Sequence, residues 1–301
     1  MTVLDPQPVA AALAAAIGRP VAPRPSAPVA GGSIHAAWRW PYEAGLLFVK
    51  QAPRADAAML VAEAEGLAAL AAANALRVPA VRGHGVAGGS AWLALEWLEL
   101  VAPDAVSDAV LGERLAAQHR RLAEHFGFAR DNFVGRTPQP NGWCDDWVAF
   151  LGSRRLAPQF ARAAAAGHAG RLGEHGALLL EVLGEFYAGY RPQPSLLHGD
   201  LWGGNRGALA GGTPVVFDPA VYFGDREADL AMTRLFGGFS SRFYSAYHAS
   251  WPLDPGAEAR RDLHSLYHVL NHLNLFGGAY AAQALALTGR LLAAAGRPAP
   301  A

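Results

Sequence analysis

Strand-like and helical patterns alternate over the first hundred residues of the chain. Four short stretches of the sequence are either apolar throughout or alternate between apolar and polar residues, and turn residues such as Gly88 and Gly89 bound them. This pattern is typical of β-strands. Leu60, Leu67 and Leu70 recur at helical spacing between the second and third runs, which predicts one long helix. The predicted strands cover residues 34–40, 46–51, 81–86 and 91–98, a fifth precedes a glycine turn at residues 29–36, and the helix covers residues 54–73.

After residue 103 the pattern is mainly helical. The predicted helices cover residues 108–126, 145–166, 171–190, 226–236, 239–250 and 257–295, the last with a break at two glycines. A short helix is also expected within residues 1–16, with Asp5 as its cap and Pro6 at its first position. The sequence therefore predicts an α+β protein of two lobes, a small sheet-rich lobe over residues 1–100 and a larger, mainly helical lobe over residues 101–301.

One irregular segment stands out between the first two helices of the second lobe. Residues 131–143 are too polar and too rich in turn residues for a core element. Long irregular segments in compact domains are often functional, so we expect this segment to serve the site.

The candidate chemistry lies between two short apolar runs of the second lobe. Asp200 is followed by Asn205, and Asp218 comes thirteen positions after that asparagine. This order is typical of kinase-like phosphoryl-transfer sites, where the first aspartate orients and deprotonates a hydroxyl and the other two residues hold the metal. We therefore expect Asp200 to be the catalytic base, and Asn205 and Asp218 to bind Mg²⁺, which prefers oxygen ligands. His198 and Asp229 are expected to hold the loop by hydrogen bonds.

Lys50 is the only lysine in a chain that contains 25 basic residues. It ends an apolar run, as does the lysine that binds the α- and β-phosphates in the small lobe of kinases. Arginine is a wide, rigid fork and lysine a compact charge, so the two are not interchangeable in a tight phosphate pocket. Glu63 in the following helix is the candidate ion-pair partner of Lys50, and Glu65 is the rival.

Two further segments are predicted to contact the nucleotide. Gly31, Gly32 and Ser33 precede Lys50 by one strand pair, and glycines there allow backbone N–H groups to approach phosphates. Glu96 and Leu98 lie in the segment 96–101 that links the two predicted lobes, where backbone atoms are expected to meet the adenine edge. The sequence lacks the glycine-lysine pattern of a Walker-type loop.

The composition indicates which classes of binding partner and which cellular compartment to expect. The 301 residues carry 25 acidic and 25 basic side chains and are 52% apolar, so the chain can form a large core and has no electrostatic footprint for nucleic acid or membrane. The single cysteine, Cys144, permits no intrachain disulfide, which fits a reducing compartment. No apolar run is long enough to span a bilayer, and the N-terminus lacks the basic start of a signal peptide. A cytoplasmic protein is expected.

Residues 196–205 and 217–232 resemble the signature of the fructosamine kinase (ketosamine 3-kinase) family. Residues 131–143 and 270–277 resemble the same family, and the resemblance extends from about residue 31 to about residue 280. It implies the aminoglycoside-phosphotransferase-like branch of the protein-kinase-like fold, with ATP and Mg²⁺ as cofactors. It also implies phosphorylation of the 3-hydroxyl of a ketosamine, a sugar adduct on an amine or lysine side chain, which destabilises the adduct and repairs glycation.

The resemblance also bears on the acceptor site and on assembly. It implies that Trp202 flanks the sugar, and His272 is a further candidate there. Asn274, close to His272 in a polar stretch of the last predicted helix, would suit the hydroxyls of a polyol. Some family members carry a cysteine in the glycine-rich loop that links two subunits. Ser33 takes that place here, so we expect a monomer without this disulfide, and Cys144 lies in a different segment.

Two other functions remain open on the sequence. The chain could be another small-molecule kinase of the same fold, acting on an aminoglycoside, choline or another alcohol, or a catalytically silent nucleotide-binding protein. A protein kinase is disfavoured because there is no Ala-Pro-Glu segment and no room for an activation loop between Asp218 and Arg226. The sequence leaves open which sugar the ketosamine carries, and whether the amine is free or in a protein.

Overall fold

A five-stranded antiparallel sheet organises the first lobe of the protein. The structure, a computed structural model, describes residues 6–30 and 34–297, so the predicted cap Asp5 and the loop residues Gly31, Gly32 and Ser33 lie outside the described residues. The strands are β1 (Ala27–Val29), β2 (Ala36–Tyr42), β3 (Gly45–Pro53), β4 (Val81–Ala87) and β5 (Ser90–Glu96), in the spatial order β1-β2-β3-β5-β4. The predicted strands are therefore confirmed, although the last one ends at Glu96 instead of residue 98.

Two helices cover the two faces of this sheet. Helix α1 (Pro6–Ile17) places Val9 and Leu13 against Trp92 on one face, and α2 (Ala57–Ala72) places Leu67 against Leu93 on the other. Side chains of successive strand residues point to opposite faces, so β5 is buried along almost its whole length. The first turn of the predicted helix 54–73 is a separate 3₁₀ turn.

The second lobe is mainly helical, as predicted. Its helices are α3 (Ala105–His119), α4 (Trp147–Phe150), α5 (Ala157–Ala163), α6 (Arg171–Val182), α7 (Glu227–Leu235), α8 (Ser241–Ser250), α9 (Ala257–Phe276) and α10 (Ala281–Ala294). Short π-helical segments follow α4 and α5. Helix α9 lies in the main core, where it buries Leu263, Leu266 and Leu270. No helix within the described ranges 6–30 and 34–297 has the length and apolar character to cross a bilayer.

Short strands of the second lobe frame the candidate site. They are β6 (Leu100–Val101), β7 (Asn132–Val134), β8 (Thr137–Gln139), β9 (Ser195–Leu197), β10 (Arg206–Leu209), β11 (Pro214–Val216) and β12 (Tyr222–Gly224). Strand β10 pairs with β6 and β11, and β9 pairs with β12. The Asp200 loop therefore connects β9 to β10, and Asp218 follows β11. A buried cluster that includes Leu67, Leu111 and Val216 joins the two lobes.

Several predicted elements were wrong in detail. The predicted helix 145–166 is interrupted by π-helical segments, and the α-helix predicted over 171–190 ends at Val182. Helix α3 ends at His119 instead of residue 126, because the chain beyond it is extended and pairs with β9 at Leu122 and Ser195. Residues 131–143 are not irregular throughout, since β7 and β8 form a hairpin. Asn132 and Gln139 of this hairpin are buried, because each finds hydrogen-bond partners inside the protein.

Candidate active site

Asp229 fixes the start of the catalytic loop. It lies in the first turn of α7, and its two carboxylate oxygens accept hydrogen bonds from the backbone N–H groups of His198 (2.7 Å) and Gly199 (2.8 Å). Burial alone would raise the pKa of Asp229, but the hydrogen bond with His119 and the backbone donors hold it below its usual value. Asp229 is therefore an ionised support for the loop, as predicted.

His198 and Gly199 set the path of the loop by contacts that few other residues could make. His198 Nε2 lies 3.0 Å from the carbonyl oxygen of Phe217, and its Nδ1 accepts from the N–H of Asp200 at 3.3 Å. Burial lowers the pKa of His198, so the ring is neutral with Nε2 protonated. Gly199 has φ +81°, and an added Cβ would lie 2.0 Å from the carbonyl oxygen of Ala220. The predicted structural contacts of His198 are confirmed.

The three motif residues converge on one side of the cleft. The amide nitrogen of Asn205 lies 2.9 Å from the backbone oxygen of Asp200, 3.2 Å from its carboxylate and 3.4 Å from the backbone oxygen of Asp218. Burial and the nearby charge of Asp218 raise the pKa of Asp200 to about 7. A carboxylate of that pKa is well matched to proton abstraction near neutral pH.

Lys50 connects the two lobes at this point. Its Nζ lies 2.8 Å from Glu63 Oε1 and 2.5 Å from Asp218 Oδ1, so the predicted ion pair with Glu63 is present. The rival, Glu65, pairs with Arg130 instead. Burial alone would lower the pKa of Lys50, but Asp218 and Glu63 raise it above its usual value. The ammonium in turn holds the pKa of Asp218 down against the effect of burial.

The donors next to Asp200 suit a hard cation. The hydrogen bonds of Asn205 engage its amide nitrogen, which leaves its oxygen as the ligand atom, and Asp218 contributes an ionised carboxylate. Oxygen donors of this kind fit Mg²⁺, which takes its remaining ligands from water and phosphate. Asp218 adopts φ +55°, and such conformations cluster at functional sites.

A second cluster of possible metal ligands lies away from the cleft. Asp225, Glu227 and His264 are buried with their ligand atoms close together. Both carboxylate oxygens of Glu227 accept from Arg260, at 2.8 and 2.9 Å. The guanidinium therefore occupies the place of a cation, and we assign no metal there.

The motif residues open into a cleft of about 640 Å³. Lys50, Glu63, Asp200, Asn205 and Asp218 line one part of it, and two of the predicted substrate residues, Trp202 and His272, line another. The hairpin β7–β8 forms a further wall, so the family-like segment 131–143 does reach the cleft.

Glu96 and Leu98, which are predicted to contact the nucleotide through the backbone, lie at the end of the sheet and in the link between the lobes. The carboxylate of Glu96 lies 2.6 Å from Arg77 and accepts from the N–H of Ala80, and its own N–H donates to the carbonyl of Ala80. Glu96 therefore anchors the end of β5, and its N–H is not free to bind a nucleotide because it is bonded to Ala80. Leu98 is half-buried in the link between lobes, and neither residue is among the described residues that line the cleft.

The side chain of Asn274, which is predicted to contact the acceptor, is bonded to Gln159 of α5. Its amide nitrogen donates to the backbone and side-chain oxygens of Gln159, at 3.0 and 2.7 Å, and it does not line the cleft with the described residues around His272. The reason is helical geometry: Asn274 lies two positions from His272, and residues two apart on a helix do not face the same way.

Several residues that line the cleft were not predicted as site residues. They are Asn132, Phe133, Arg136, Phe236, Phe276 and Tyr280. The hairpin residues belong to the polar segment 131–143, and the unusual polarity of that segment could have indicated that they line the site. Phe236, Phe276 and Tyr280 gave no such indication, because aromatic residues are common near the ends of helices.

The relatives of this chain agree with the kinase-like geometry of the site. The sequence profile described as "Fructosamine kinase" matches residues 6–294. The chain belongs to the fructosamine kinase family. Among relatives of the family, a "probable ketoamine kinase" from Synechocystis sp. is 41% identical over 92% of this chain and 94% of its own length. The chloroplastic "protein-ribulosamine 3-kinase" of Oryza sativa subsp. indica is 37% identical over 86% of this chain and 76% of its own.

The fold of this fructosamine kinase family member agrees with a solved structure. The crystal structure of a "putative fructosamine-3-kinase" from Haemophilus somnus 129PT superposes with a TM-score of 0.85 at 28% identity, over 96% of that chain and 94% of this one. The predicted α+β, two-lobed, protein-kinase-like fold is therefore confirmed. Membership in a kinase family implies ATP as the phosphoryl donor.

Proposed function

We propose that the protein is a ketosamine 3-kinase, which transfers the γ-phosphoryl group of ATP to the 3-hydroxyl of a sugar adduct on an amine or lysine side chain. In this reaction the 3-hydroxyl oxygen bonds to the γ-phosphorus, the bond to the β–γ bridging oxygen breaks, ADP leaves, and the hydroxyl proton passes to Asp200. The product is a ketosamine 3-phosphate, which is less stable than its precursor, so the enzyme would act in the repair of glycated amines.

The observation that carries this proposal is the environment of Asp200. Burial and the charge of Asp218 raise its pKa to about 7, which places it among bases that work near neutral pH. The amide of Asn205 donates to its carboxylate, and this hydrogen bond orients the group. Asp200 also lines the same cleft as Trp202 and His272, so an acceptor sugar between these residues would lie within reach of the base.

The nucleotide would lie on the opposite side of the cleft from the acceptor. Lys50 would contact its α- and β-phosphates, and Glu63 would hold the ammonium in place. The loop Gly31–Ser33 would add backbone N–H groups. We assign Mg²⁺ to Asn205 and Asp218, and when bound there it neutralises charge on the phosphates. The adenine would contact the backbone of the segment that contains Glu96 and Leu98. Because the N–H of Glu96 is already bonded, the donors there would come from residues beyond Glu96.

The experiment is ADP release from ATP and Mg²⁺ with ribulosyl-lysine and fructosyl-lysine as acceptors, run beside Asp200→Asn. We expect turnover on at least one acceptor, and a loss of about 10²–10⁴-fold in kcat for the variant with unchanged nucleotide affinity. Mass spectrometry would place the phosphate on the sugar. Nucleotide binding without turnover on either acceptor would point to a different alcohol, or to a silent nucleotide binder.

A further inference from the structure

A row of aromatic rings continues from the catalytic loop to the mouth of the cleft. The ring centroid of Trp202 lies 6.3 Å from that of Phe236, which lies 4.6 Å from that of His272. The His272 ring is in turn 5.4 Å from Phe276 and 5.3 Å from Tyr280. We call these five residues the aromatic rim. The family resemblance makes Trp202 and His272 candidates beside the sugar, but it leaves Phe236, Phe276 and Tyr280 without a role.

The rim is exposed where ordinary core packing would bury it. Phe276 is 61% exposed, Trp202 39% and Phe236 38%, and all three line the cleft. Contiguous exposed apolar surface of this kind marks binding sites more often than isolated exposed residues do. The rim is also held in place, because an added Cβ at Gly204 would lie 2.2 Å from the Trp202 ring, so this ring rests directly on the loop backbone.

Charge is distributed unevenly along the cleft. The cations among the described lining residues are Lys50, beside Asp218, and Arg136, which is bonded to Asp56 and to the backbone oxygen of Ile34. Among the described residues that line the cleft, the carboxylates are Glu63, Asp200 and Asp218, and each already has a partner or a role in the phosphoryl-transfer site. The rim itself carries no charged side chain. A cation that bound there would therefore be recognised by the electron-rich faces of the rings.

His272 is a neutral ring within the rim. Its Nδ1 lies 2.8 Å from the carbonyl oxygen of His268; a carbonyl can only accept, so Nδ1 carries the proton. Burial lowers the pKa of His272, so the ring is neutral and Nε2 keeps its lone pair. The rim thus offers one hydrogen-bond acceptor among ring faces, and no competing positive charge.

We propose that the aromatic rim is the binding site for the protonated secondary amine and the alkyl arm of the acceptor, which rests on the proposed ketosamine kinase function. In a ketosamine the nitrogen is attached to C1 of the sugar, two carbons from the C3 that carries the acceptor hydroxyl. With that hydroxyl at Asp200 and the sugar beside Trp202, the ammonium lies over Phe236 and His272. The alkyl arm then leaves the cleft across Phe276 and Tyr280, which admits a long amine or a lysine side chain.

The test compares two acceptors that differ only at the amine. One is ribulosyl-lysine, and the other is the ether in which oxygen replaces the amine nitrogen. Phe236→Leu and Phe276→Leu keep much of the apolar volume but remove the ring. Phe186→Leu makes the same change at a half-buried ring that is not among the described residues lining the cleft, and it is the matched control. We expect Phe236→Leu to lose about two- to five-fold in kcat/KM for the amine, with the ether unchanged. Phe276 contacts only the alkyl arm, so Phe276→Leu should affect both acceptors alike, and the control should be unchanged for both.

The outcomes separate this inference from the proposed function. Equal losses on amine and ether in Phe236→Leu would mean that this ring supplies apolar contact only, and no loss on either acceptor in that variant would mean that the amine binds elsewhere. Each result overturns the inference while the kinase function stands. If the wild-type protein turns over neither acceptor, the proposed function fails and the inference fails with it.

Discussion

Lys50 Nζ lies 2.5 Å from Asp218 Oδ1, although the two residues are 168 positions apart in the chain. Lys50 belongs to the central region of the first-lobe sheet and Asp218 follows β11 of the second lobe. With Glu63 2.8 Å away on the other side, the ammonium connects a helix, a strand and the proposed metal-binding loop. Lys50 is therefore a polar contact between the two lobes at the site itself, in addition to the buried cluster that joins them.

We predict that Lys50→Ala lowers kcat/KM by at least about 10²-fold, because a charged group that stabilises the transferring phosphoryl group is worth several kcal/mol. Two carboxylates would also face each other without the cation between them. Steady-state kinetics against ATP would measure the effect. Lys50→Arg keeps the charge but not the compact shape, so it should recover little activity; full activity in either variant would contradict the phosphate role.

The pH dependence of activity should follow Asp200. Its pKa of about 7 means that the carboxylate is protonated below neutral pH and cannot accept the hydroxyl proton. We therefore expect kcat/KM to fall about tenfold per pH unit below pH 7 and to level off above it. A profile measured from pH 5.5 to 9, with circular dichroism to confirm folding throughout, would check this. Activity that stays constant down to pH 5.5 would contradict the raised pKa.

The parts of the site that the sequence predicted are those held by local spacing. Asp200 and Asn205 lie on one short loop, and the strands around them bring Asp218 back to the same place, so spacing alone located all three. The Lys50–Glu63 pair followed from a strand and the helix after it. The bonds that the side chains of Glu96 and Asn274 make to Arg77 and Gln159 were not predicted, because those partners are set by tertiary packing that no local pattern reveals.

The same distinction applies to the fold. Alternation and helical spacing predicted the sheet and most helices, since burial of one face imposes those periods. The hairpin β7–β8 escaped because polarity normally indicates exposure, whereas Asn132, Gln139 and Asn141 are buried and bonded to one another. Helix α3 stops before residue 126 because residues 121–123 pair with the chain at residues 194–196, a tertiary contact that the local sequence does not reveal.

Asp229→Asn should separate positioning from catalysis. The carboxylate accepts from two backbone N–H groups and from His119, but an amide has one oxygen, so at least one buried donor loses its partner. We expect the free energy of unfolding to fall by about 1–3 kcal/mol, and kcat to fall because the Asp200 loop shifts. Urea denaturation and kinetics would measure both. The control Asp262→Asn, at an exposed ion pair with Arg290, should cost under about 1 kcal/mol.

Arg155 is a buried cation held by rings and carbonyls. Its guanidinium lies 4.0 Å from the Tyr222 ring centroid and donates to the oxygens of Pro140 (2.5 Å) and Asn141 (2.6 Å). Arg155→Met would leave these buried acceptors unpaired, so we expect stability to fall by about 2–3 kcal/mol as measured by urea denaturation. Arg154→Met, at the neighbouring exposed position, is the control. Equal stability of the two variants would show that the buried guanidinium adds nothing.

Oxidation should leave the assembly state unchanged. The chain has one cysteine, Cys144, which is half-buried with its Sγ 3.3 Å from the backbone oxygen of Asp146. The place of the loop cysteine known from some family members is taken by Ser33, so no pair of thiols meets across two glycine-rich loops. We expect the same monomeric mass before and after treatment with an oxidant, measured by size exclusion with light scattering and by non-reducing electrophoresis. A covalent dimer that reductant dissolves, and that Cys144→Ser abolishes, would show that this thiol can link two chains after all. Ser33→Cys is the informative counterpart, because a dimer gained by that single change would place the two loops of neighbouring subunits within disulfide reach.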